Sequence, residues 1–158
     1  GAPAQVFLEV WPGDDAKLRA VAERGAGAKV RCGGATPDMF PSPAELAAFI
    51  IGCRDLGLPF KATAGLHHPI RDGIVHGFLN LLAAAVLAHA AGAEERELST
   101  VLLEEDASAF SVGEDAFTVR GHRFGADAVA AARERLFVGY GSCSFSEPVQ
   151  DLHGLRIL

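Results

Sequence analysis

The chain contains 158 residues, of which 49% are hydrophobic and 22% are charged, and it carries a net charge of −6 at neutral pH. This length and composition predict one globular domain, residues 1–158, with a core of its own. The acidic balance, without a basic stripe, argues against nucleic acid as a partner. The longest apolar stretch, 78–91, is shorter than the ~20 residues that span a membrane, so no membrane partner is expected either.

Residues 5–92 are predicted to form strand–helix repeats. The predicted strands are 5–11, 28–33 and 60–65, and the predicted helices are about 15–24, 43–56 and 74–91. Ser42 and Glu45 form a capping box with Pro43 at the first helical position, which is among the stronger local signals in the chain. Strands that alternate with helices over loops this short are parallel and are joined by right-handed crossovers.

The remainder, residues 93–158, is less regular. The predicted elements are a helix at 94–109, a hairpin at 110–120, a helix at 126–138 and a tail at 139–158 that ends in a short helix. We interpret this part as a helical and hairpin extension of the repeats.

Side chains along each predicted strand alternate between two faces. One face is apolar throughout: Val6, Leu8, Val10, Ala28, Val30, Cys32, Phe60, Ala62 and Ala64. The other face collects mostly polar residues and glycines: Phe7, Glu9, Trp11, Lys29, Arg31, Gly33, Lys61, Thr63 and Gly65. Strands buried between two helical layers are continuous hydrophobic runs, so we expect helices on the apolar face only.

A parallel sheet with helices on one side and a polar far side is the arrangement of an unrolled (β/α) barrel. We therefore predict an α/β fold, a parallel (β/α) half-barrel or partial TIM-barrel-like unit with the C-terminal extension. A full eight-stranded barrel needs ~250 residues, and a free half would leave unpaired strand edges, which proteins avoid. We expect a partner, either another copy in a homo-oligomer or an N-terminal half missing from this chain.

The polar face carries an excess of positive charge. Three cations, Lys29, Arg31 and Lys61, face one carboxylate, Glu9. Two surplus positive charges in a partly enclosed site are costly unless something neutralises them. An anionic small-molecule substrate, phosphorylated or carboxylated, would do so, and an ion-pair network with carboxylates from the tail is an equal alternative.

Glycines and aromatic residues lie where the predicted strands end and the helices begin, which is the functional end of such folds. Gly33 and Gly34 would let an anion approach the backbone closely. Trp11 and Gly65 mark the same end of the other two strands. We count these four residues, with Arg31 and Thr63, as predicted substrate-binding residues.

The strand 61–65, Lys-Ala-Thr-Ala-Gly, resembles the Lys-x-Thr/Ser-x-Gly strand of the deoxyribose-phosphate aldolase family, whose lysine forms a Schiff base. Lys29 to Gly34 is similar to another strand of that family, in which a second lysine precedes a Gly-Gly phosphate loop. The resemblance implies Lys61 as nucleophile, Lys29 as the group that adjusts its pKa, and Gly33-Gly34 as the phosphate cradle. The whole chain also resembles a bacterial β/α family to which no activity is attached.

Histidines that follow the third predicted strand could transfer protons during catalysis. His67 or His68, together with Glu9, could act as general acid and base. His76 and Asn80, one helical turn apart, could both face the substrate.

The same histidines also permit a metal-dependent hydrolase. His67, His68 and His76, with Glu9, would give a nitrogen and oxygen site suited to zinc or manganese. No HxH or HExxH spacing is present, so we predict no metal and no other cofactor.

The three cysteines, Cys32, Cys53 and Cys143, are odd in number and widely spaced. This usage suits a reducing compartment, and we predict a cytoplasmic location. Cys143 lies between two serines, but the sequence gives no reason to place a base beside it, so we do not predict it as a nucleophile.

The sequence therefore predicts a small-molecule enzyme of the lyase or aldolase kind. It would act on an anionic carbonyl substrate through Lys61, with Lys29, His67, His68 and Glu9 as the other catalytic residues. A non-catalytic half-barrel that serves interaction or oligomerisation is the alternative from another class, and the metal-dependent hydrolase is the third.

Overall fold

A computed structural model describes residues 4–144 and 146–157. The strands are β1 Phe7–Glu9, β2 Gly27–Arg31, β3 Phe60–Thr63, β4 Phe110–Val112, β5 Ala116–Val119, β6 His122–Gly125 and β7 Phe137–Tyr140. The helices are α1 Asp15–Glu23, α2 Pro43–Asp55, α3 Phe78–Ala91, α4 Glu95–Leu102, α5 Ala126–Arg135 and α6 Glu147–Gly154, with short 3-10 turns at Pro37–Met39 and Ala107–Ala109.

The main sheet has four parallel strands in the order β1-β2-β3-β7. A smaller antiparallel sheet contains β4, β5 and β6. The α/β class and the parallel arrangement of the strand–helix repeats are therefore confirmed. The four strands form an open sheet in the described part of the chain, with no closed barrel, so the half-barrel remains a proposal.

The apolar face of the main sheet lies in the core, as predicted. Ala28, Val30 and Ala62 are completely buried. Phe60 is also buried, with its ring edge-on to Phe49 of α2 at 5.4 Å and stacked on Phe137 of β7 at 5.2 Å between centroids. Aromatic pairs at these separations add to the stability that burial provides.

The edge strand β1 departs from this pattern. Val6 and Leu8 belong to the predicted apolar face, but 58% and 38% of their surfaces are exposed. Val10, which follows β1, is buried as predicted. The helical layer thus covers the centre of the sheet and leaves the first half of β1 uncovered.

The helix predicted over 74–91 begins later, at Phe78. Gly77 is its N-cap with an extended backbone, and a side chain there would collide with the carbonyl oxygen of Pro69 and with Asn80. Asp72 and Val75 form an isolated antiparallel bridge before the helix. The tight loop therefore keeps residues 74–77, which were predicted as the first turn, out of the helix.

The helix predicted over 94–109 ends early, at Leu102. The next residues include Glu104, Glu105 and Asp106, whose negative charges are unfavourable at the negative end of the helix dipole. Asp106 instead accepts a hydrogen bond from the backbone N–H of Ser108 and opens a 3-10 turn.

Two strands of the C-terminal part were not predicted. The hairpin at 110–120 is present, but His122–Gly125 adds a third strand to it. The helix predicted over 126–138 ends at Arg135, and Phe137–Tyr140 joins the main sheet beside β3. Phe-Val-Gly-Tyr has strong β-propensity, and this preference overrides the helical periodicity that precedes it.

In the described part of the chain, no helix combines the length and the apolar character that crossing a membrane requires.

The capping box at the start of α2 is formed as predicted. Ser42 Oγ accepts from the backbone N–H of Glu45 at 3.2 Å, and the Glu45 carboxylate accepts from the backbone N–H of Ser42 at 2.7 Å. The hydrogen bond from the Ser42 backbone holds the pKa of Glu45 below its usual value.

We expect Ser42→Ala to lower the free energy of unfolding by about 1 kcal/mol, because a helix N–H then loses its partner. Urea denaturation of the wild type and the variant measures the difference. Ser99→Ala, inside α4, is the control and should leave stability unchanged or slightly raised. Equal losses for both variants would show that the cap contributes nothing specific.

Candidate functional site

The register of the main sheet aligns the charged residues in rows. Glu9 is paired with Lys29, and Lys29 with Lys61, while Arg31 is paired with Thr63 one row further along. Their side chains therefore share the face opposite the helices, as the alternation predicts.

Glu9 is the counter-ion of two of the cations. Its carboxylate lies 3.0 Å from Lys29 Nζ and 3.8 Å from Arg31 Nε. The hydrogen bond from Lys29 lowers the pKa of Glu9, and the charges of Lys29 and Arg31 act in the same direction, while partial burial opposes them. Glu9 is therefore an anion that fixes these two side chains, and no tail carboxylate among the described residues pairs with them.

Lys61 has different surroundings. Its Nζ lies 4.2 Å from the centroid of the Phe7 ring, a cation–π contact. Phe7 reaches across the sheet because Gly27 has no side chain; a Cβ there would collide with the ring. Among the described residues, no carboxylate lies within ion-pair distance of Lys61. The face therefore carries three cations against one described carboxylate, a surplus of two positive charges, and Lys61 is the cation without an ion-pair partner among the described residues.

The charged face is more open than we predicted. Lys61 is exposed, and the side chains of Lys29, Arg31 and Glu9 are 35%, 41% and 47% exposed. The residues share a face, but the described part of the chain does not enclose them. The predicted enclosure would need atoms from outside these residues.

Glycines shape the ends of β2 and β3. A Cβ on Gly33 would lie 3.2 Å from the Cα of Gly65, so the two loops touch backbone to backbone. Ala64 and Gly65 both have left-handed backbone angles, with φ of 64° and 74°. A left-handed alanine is strained, and such strain is concentrated at functional sites.

A cleft of ≈ 430 Å³ opens at these strand ends. Gly34 and Gly65 line it together with His67 and His68, and Phe40 forms part of its wall. The structure thus brings four of the predicted site residues around one concavity. Trp11 is 40% exposed after β1, and Thr63 donates from Oγ1 to the carbonyl of Val30 at 3.4 Å.

His76 and Asn80 hold the loops from inside rather than pointing polar atoms at a ligand. His76 Nε2 donates to the carbonyl of Pro41 at 2.6 Å, and His76 Nδ1 accepts from the guanidinium of Arg71 at 2.9 Å. Asn80 Oδ1 accepts from the backbone N–H of Arg71, and Asn80 Nδ2 donates to the carbonyls of Val101 and Glu104. Both side chains are buried, so the structure gives them positioning roles.

His67 and His68 point to different partners, as adjacent residues in an extended segment should. His68 Nδ1 lies 2.6 Å from the Asp151 carboxylate of α6. His67 lies beside Ser142, Cys143 and Glu147.

The surroundings of His67 correct our assessment of Cys143. The thiol sulfur lies 3.5 Å from His67 Nδ1 and 3.6 Å from His67 Nε2, so a base does stand beside it. The sequence missed this contact because it depends on β7 joining the sheet next to β3. The Phe-Val-Gly-Tyr run was the signal that could have revealed it.

The structure also bears on the metal alternative. No group of three or more His, Cys, Asp or Glu side chains is arranged for a metal ion in the part of the chain that is described. His76 uses both ring nitrogens within the fold. The histidines therefore do not converge in the way a zinc or manganese hydrolase would require.

Comparison of the chain with family models, with curated proteins and with solved structures finds no match.

His76 makes the stability of the fold depend on pH. Burial lowers the pKa of His76 to about 4, and the nearby Arg71 charge acts in the same direction, while the bond to Pro41 opposes them. An unfolded histidine has a pKa near 6.5 and binds its proton first as the pH falls. Stability should therefore decrease from about pH 6.5 to pH 4, by up to about 3 kcal/mol from this group.

We expect urea denaturation to show a steeper pH dependence for the wild type than for His76→Gln over this window. Glutamine can donate to Pro41 and accept from Arg71 without titrating. NMR titration of the His76 ring in the wild type provides a second measurement if the variant folds poorly. Parallel stability profiles, or a ring that titrates near 6.5, would contradict the expectation.

Proposed function

We propose that the chain is a small-molecule enzyme of the lyase or aldolase kind that acts on an anionic carbonyl substrate through Lys61. The observation that carries the proposal is the charge balance of the polar face. Glu9 forms ion pairs with both Lys29 and Arg31. The neighbouring Lys61 contacts the aromatic ring of Phe7 instead of a carboxylate. A phosphate or carboxylate would complete this arrangement.

The space around Lys61 supports the proposal. Lys61 is exposed, and Gly139 of β7 lies beside it; a Cβ on Gly139 would lie 3.9 Å from Lys61 Cε. Gly141 is similarly placed beside Thr63, at 3.8 Å from its methyl group. At these two positions β7 and the residue after it therefore place no side chain against Lys61 or Thr63.

The chemistry assigned to Lys61 is imine formation. Its neutral amine would attack a carbonyl carbon, the new N–C bond would form, and the oxygen would leave as water after proton transfer. Lys29 and Arg31 would hold the anionic group of the substrate. Glu9, His67 or His68 would move the protons, and the strand-end cleft near Gly34 and Gly65 would receive the rest of the molecule.

Borohydride reduction tests this chemistry. Incubation with a panel of phosphorylated and carboxylated aldehydes and ketones should give a reduced adduct on Lys61, located by mass spectrometry. Lys61→Met should lose the adduct. Lys17→Met is the matched control, because Lys17 is an exposed lysine on α1, and it should retain the adduct.

An adduct shared evenly among Lys17, Lys29 and Lys61 would indicate nonspecific reaction of amines. That result, or no adduct across the panel, would remove the covalent role of Lys61.

A second candidate is a non-catalytic interaction module, and the exposed edge of the main sheet favours it. β1 and β7 are the edge strands of the described sheet. Val6 just before β1 and Leu8 on β1 are exposed, and Tyr140 is 40% exposed on β7. A second copy could pair with these edges and cover the charged face, since two four-stranded sheets supply the eight strands of a barrel.

Under this candidate, sedimentation equilibrium should show a dimer that Leu8→Lys converts to monomer, because a charge would be placed on the pairing edge. Leu103→Lys, at an exposed position beyond α4, should leave the dimer intact. A wild-type protein that is monomeric at all concentrations would exclude self-association.

A cytoplasmic location remains a proposal. Cys32, Cys53 and Cys143 are all free thiols, which is consistent with a reducing compartment.

A further inference from the structure

Three side chains from separate segments meet where β3 and β7 end. Cys143 follows β7, His67 follows β3, and Glu147 begins α6. The Cys143 sulfur lies 3.5 Å from His67 Nδ1 and 3.6 Å from His67 Nε2, and the Glu147 carboxylate lies 4.0 Å from His67 Nδ1. A thiol, an imidazole and a carboxylate are the groups of a cysteine nucleophile with its base and orienting acid.

The surroundings of the ring decide which nitrogen can serve as base. His67 Nδ1 can donate to the Ser142 hydroxyl at 3.3 Å, and the Glu147 carboxylate at 4.0 Å is too far for a hydrogen bond but favours the proton on Nδ1 by its charge. With the proton on Nδ1, Nε2 carries the lone pair that can take a proton from the thiol. Because the sulfur is almost equidistant from the two ring nitrogens, it faces the ring rather than the Nε2 lone pair, and a rotation of the ring would aim Nε2 at the thiol.

We propose that Cys143, His67 and Glu147 form a second reactive site that transfers acyl groups from small esters or thioesters. This site shares His67 and the strand-end cleft with the function proposed above, but it uses no atom of Lys61 and does not rest on that function. The Cys143 thiol is exposed, whereas those of Cys32 and Cys53 are buried. Burial raises the pKa of Cys32 to about 12 and raises that of Cys53 as well.

Space for a substrate exists on both sides of the cluster. His67 lines the ≈ 430 Å³ cleft that also contains Gly34 and Gly65. Ser142 and Ser144 line a second cleft of ≈ 330 Å³ with Tyr140 and Pro148. Cys143 is exposed, and its neighbours His67 and Ser142 line the two clefts, so a small acyl compound can reach the sulfur.

The proposed reaction balances without a cofactor. The thiol proton moves to His67 Nε2, sulfur bonds to the carbonyl carbon, and the bond from that carbon to its alkoxide or thiolate breaks. The leaving group takes the proton from His67. Water then attacks the acyl-cysteine, the C–S bond breaks, and a carboxylic acid is released with the thiol restored.

Alkylation measures the reactivity of the thiol directly. Iodoacetamide at pH 7, with labelling followed by mass spectrometry, should modify Cys143 about tenfold or more faster in the wild type than in His67→Gln, because only the thiolate reacts. His153→Gln is the matched control, since His153 is an exposed histidine of α6, and it should react like the wild type. In denaturant all three should react equally.

Acyl transfer is tested with p-nitrophenyl acetate. The wild type should form an acetyl adduct on Cys143, Cys143→Ser should form none there, and His67→Gln should form it more slowly. Glu147→Gln should slow both reactions several-fold and serves as the second variant. If His67→Gln unfolds, Cys32 and Cys53 will be alkylated as well, and the comparison then uses Glu147→Gln.

Two results would overturn the proposal. One is an alkylation rate for Cys143 that is the same in the folded wild type as in the unfolded chain. The other is acetylation confined to lysine residues. Loss of the Lys61 imine would leave both measurements unaffected, so failure of either proposal can be told from failure of the other.

Discussion

β2 and β3 pair in parallel with Lys29 opposite Lys61, and the remaining features of the polar face follow from this register. Strand neighbours lie ~5 Å apart, so the pairing sets the backbones of the two lysines side by side, with both side chains on one face. Glu9 on β1 then forms ion pairs with both Lys29 and Arg31. Phe7 reaches Lys61 only because Gly27 leaves the intervening position empty. A shift of one residue would move the charges into the core face, where desolvation forbids them.

Buried polar side chains hold the strand-end loops in place. His76 joins the loop after β2 to the loop after β3 through Pro41 and Arg71, and Asn80 joins the latter loop to α4. An unpaired buried polar group is costly, so these bonds fix the loops strongly. The clefts at this end therefore have walls held by internal hydrogen bonds.

Much of the strand–helix part could be predicted because its signals are local. The alternation of apolar and polar residues predicted the two faces of β2 and β3. The Ser42–Glu45 capping box predicted the start of α2. The exposure of Val6 and Leu8 could not be predicted, because a strand looks the same at an edge and in the centre of a sheet. The bonds of His76 and Asn80 were also missed, because they join residues far apart in the chain.

The largest difference concerns β7, and it changes the chemistry of the site. The sequence predicts a helix from Ala126 to Val138, and that prediction leaves the position of Cys143 in the following tail undefined. With Phe137–Tyr140 paired to β3, the backbone N–H of Gly141 donates to the carbonyl of Ala62, and Cys143 is carried to the strand end. His67 emerges from β3 at the same end.

Parallel pairing of β3 and β7 therefore brings Cys143 and His67 together from segments 76 residues apart. The same pairing sets Gly139 and Gly141 beside Lys61 and Thr63, which keeps the surface next to the lysine open. One strand pairing thus supports both proposed sites, the amine on the strand and the thiol beyond its end. They are distinct in chemistry, since an amine forms imines with aldehydes and ketones, whereas a thiol exchanges acyl groups with esters and thioesters.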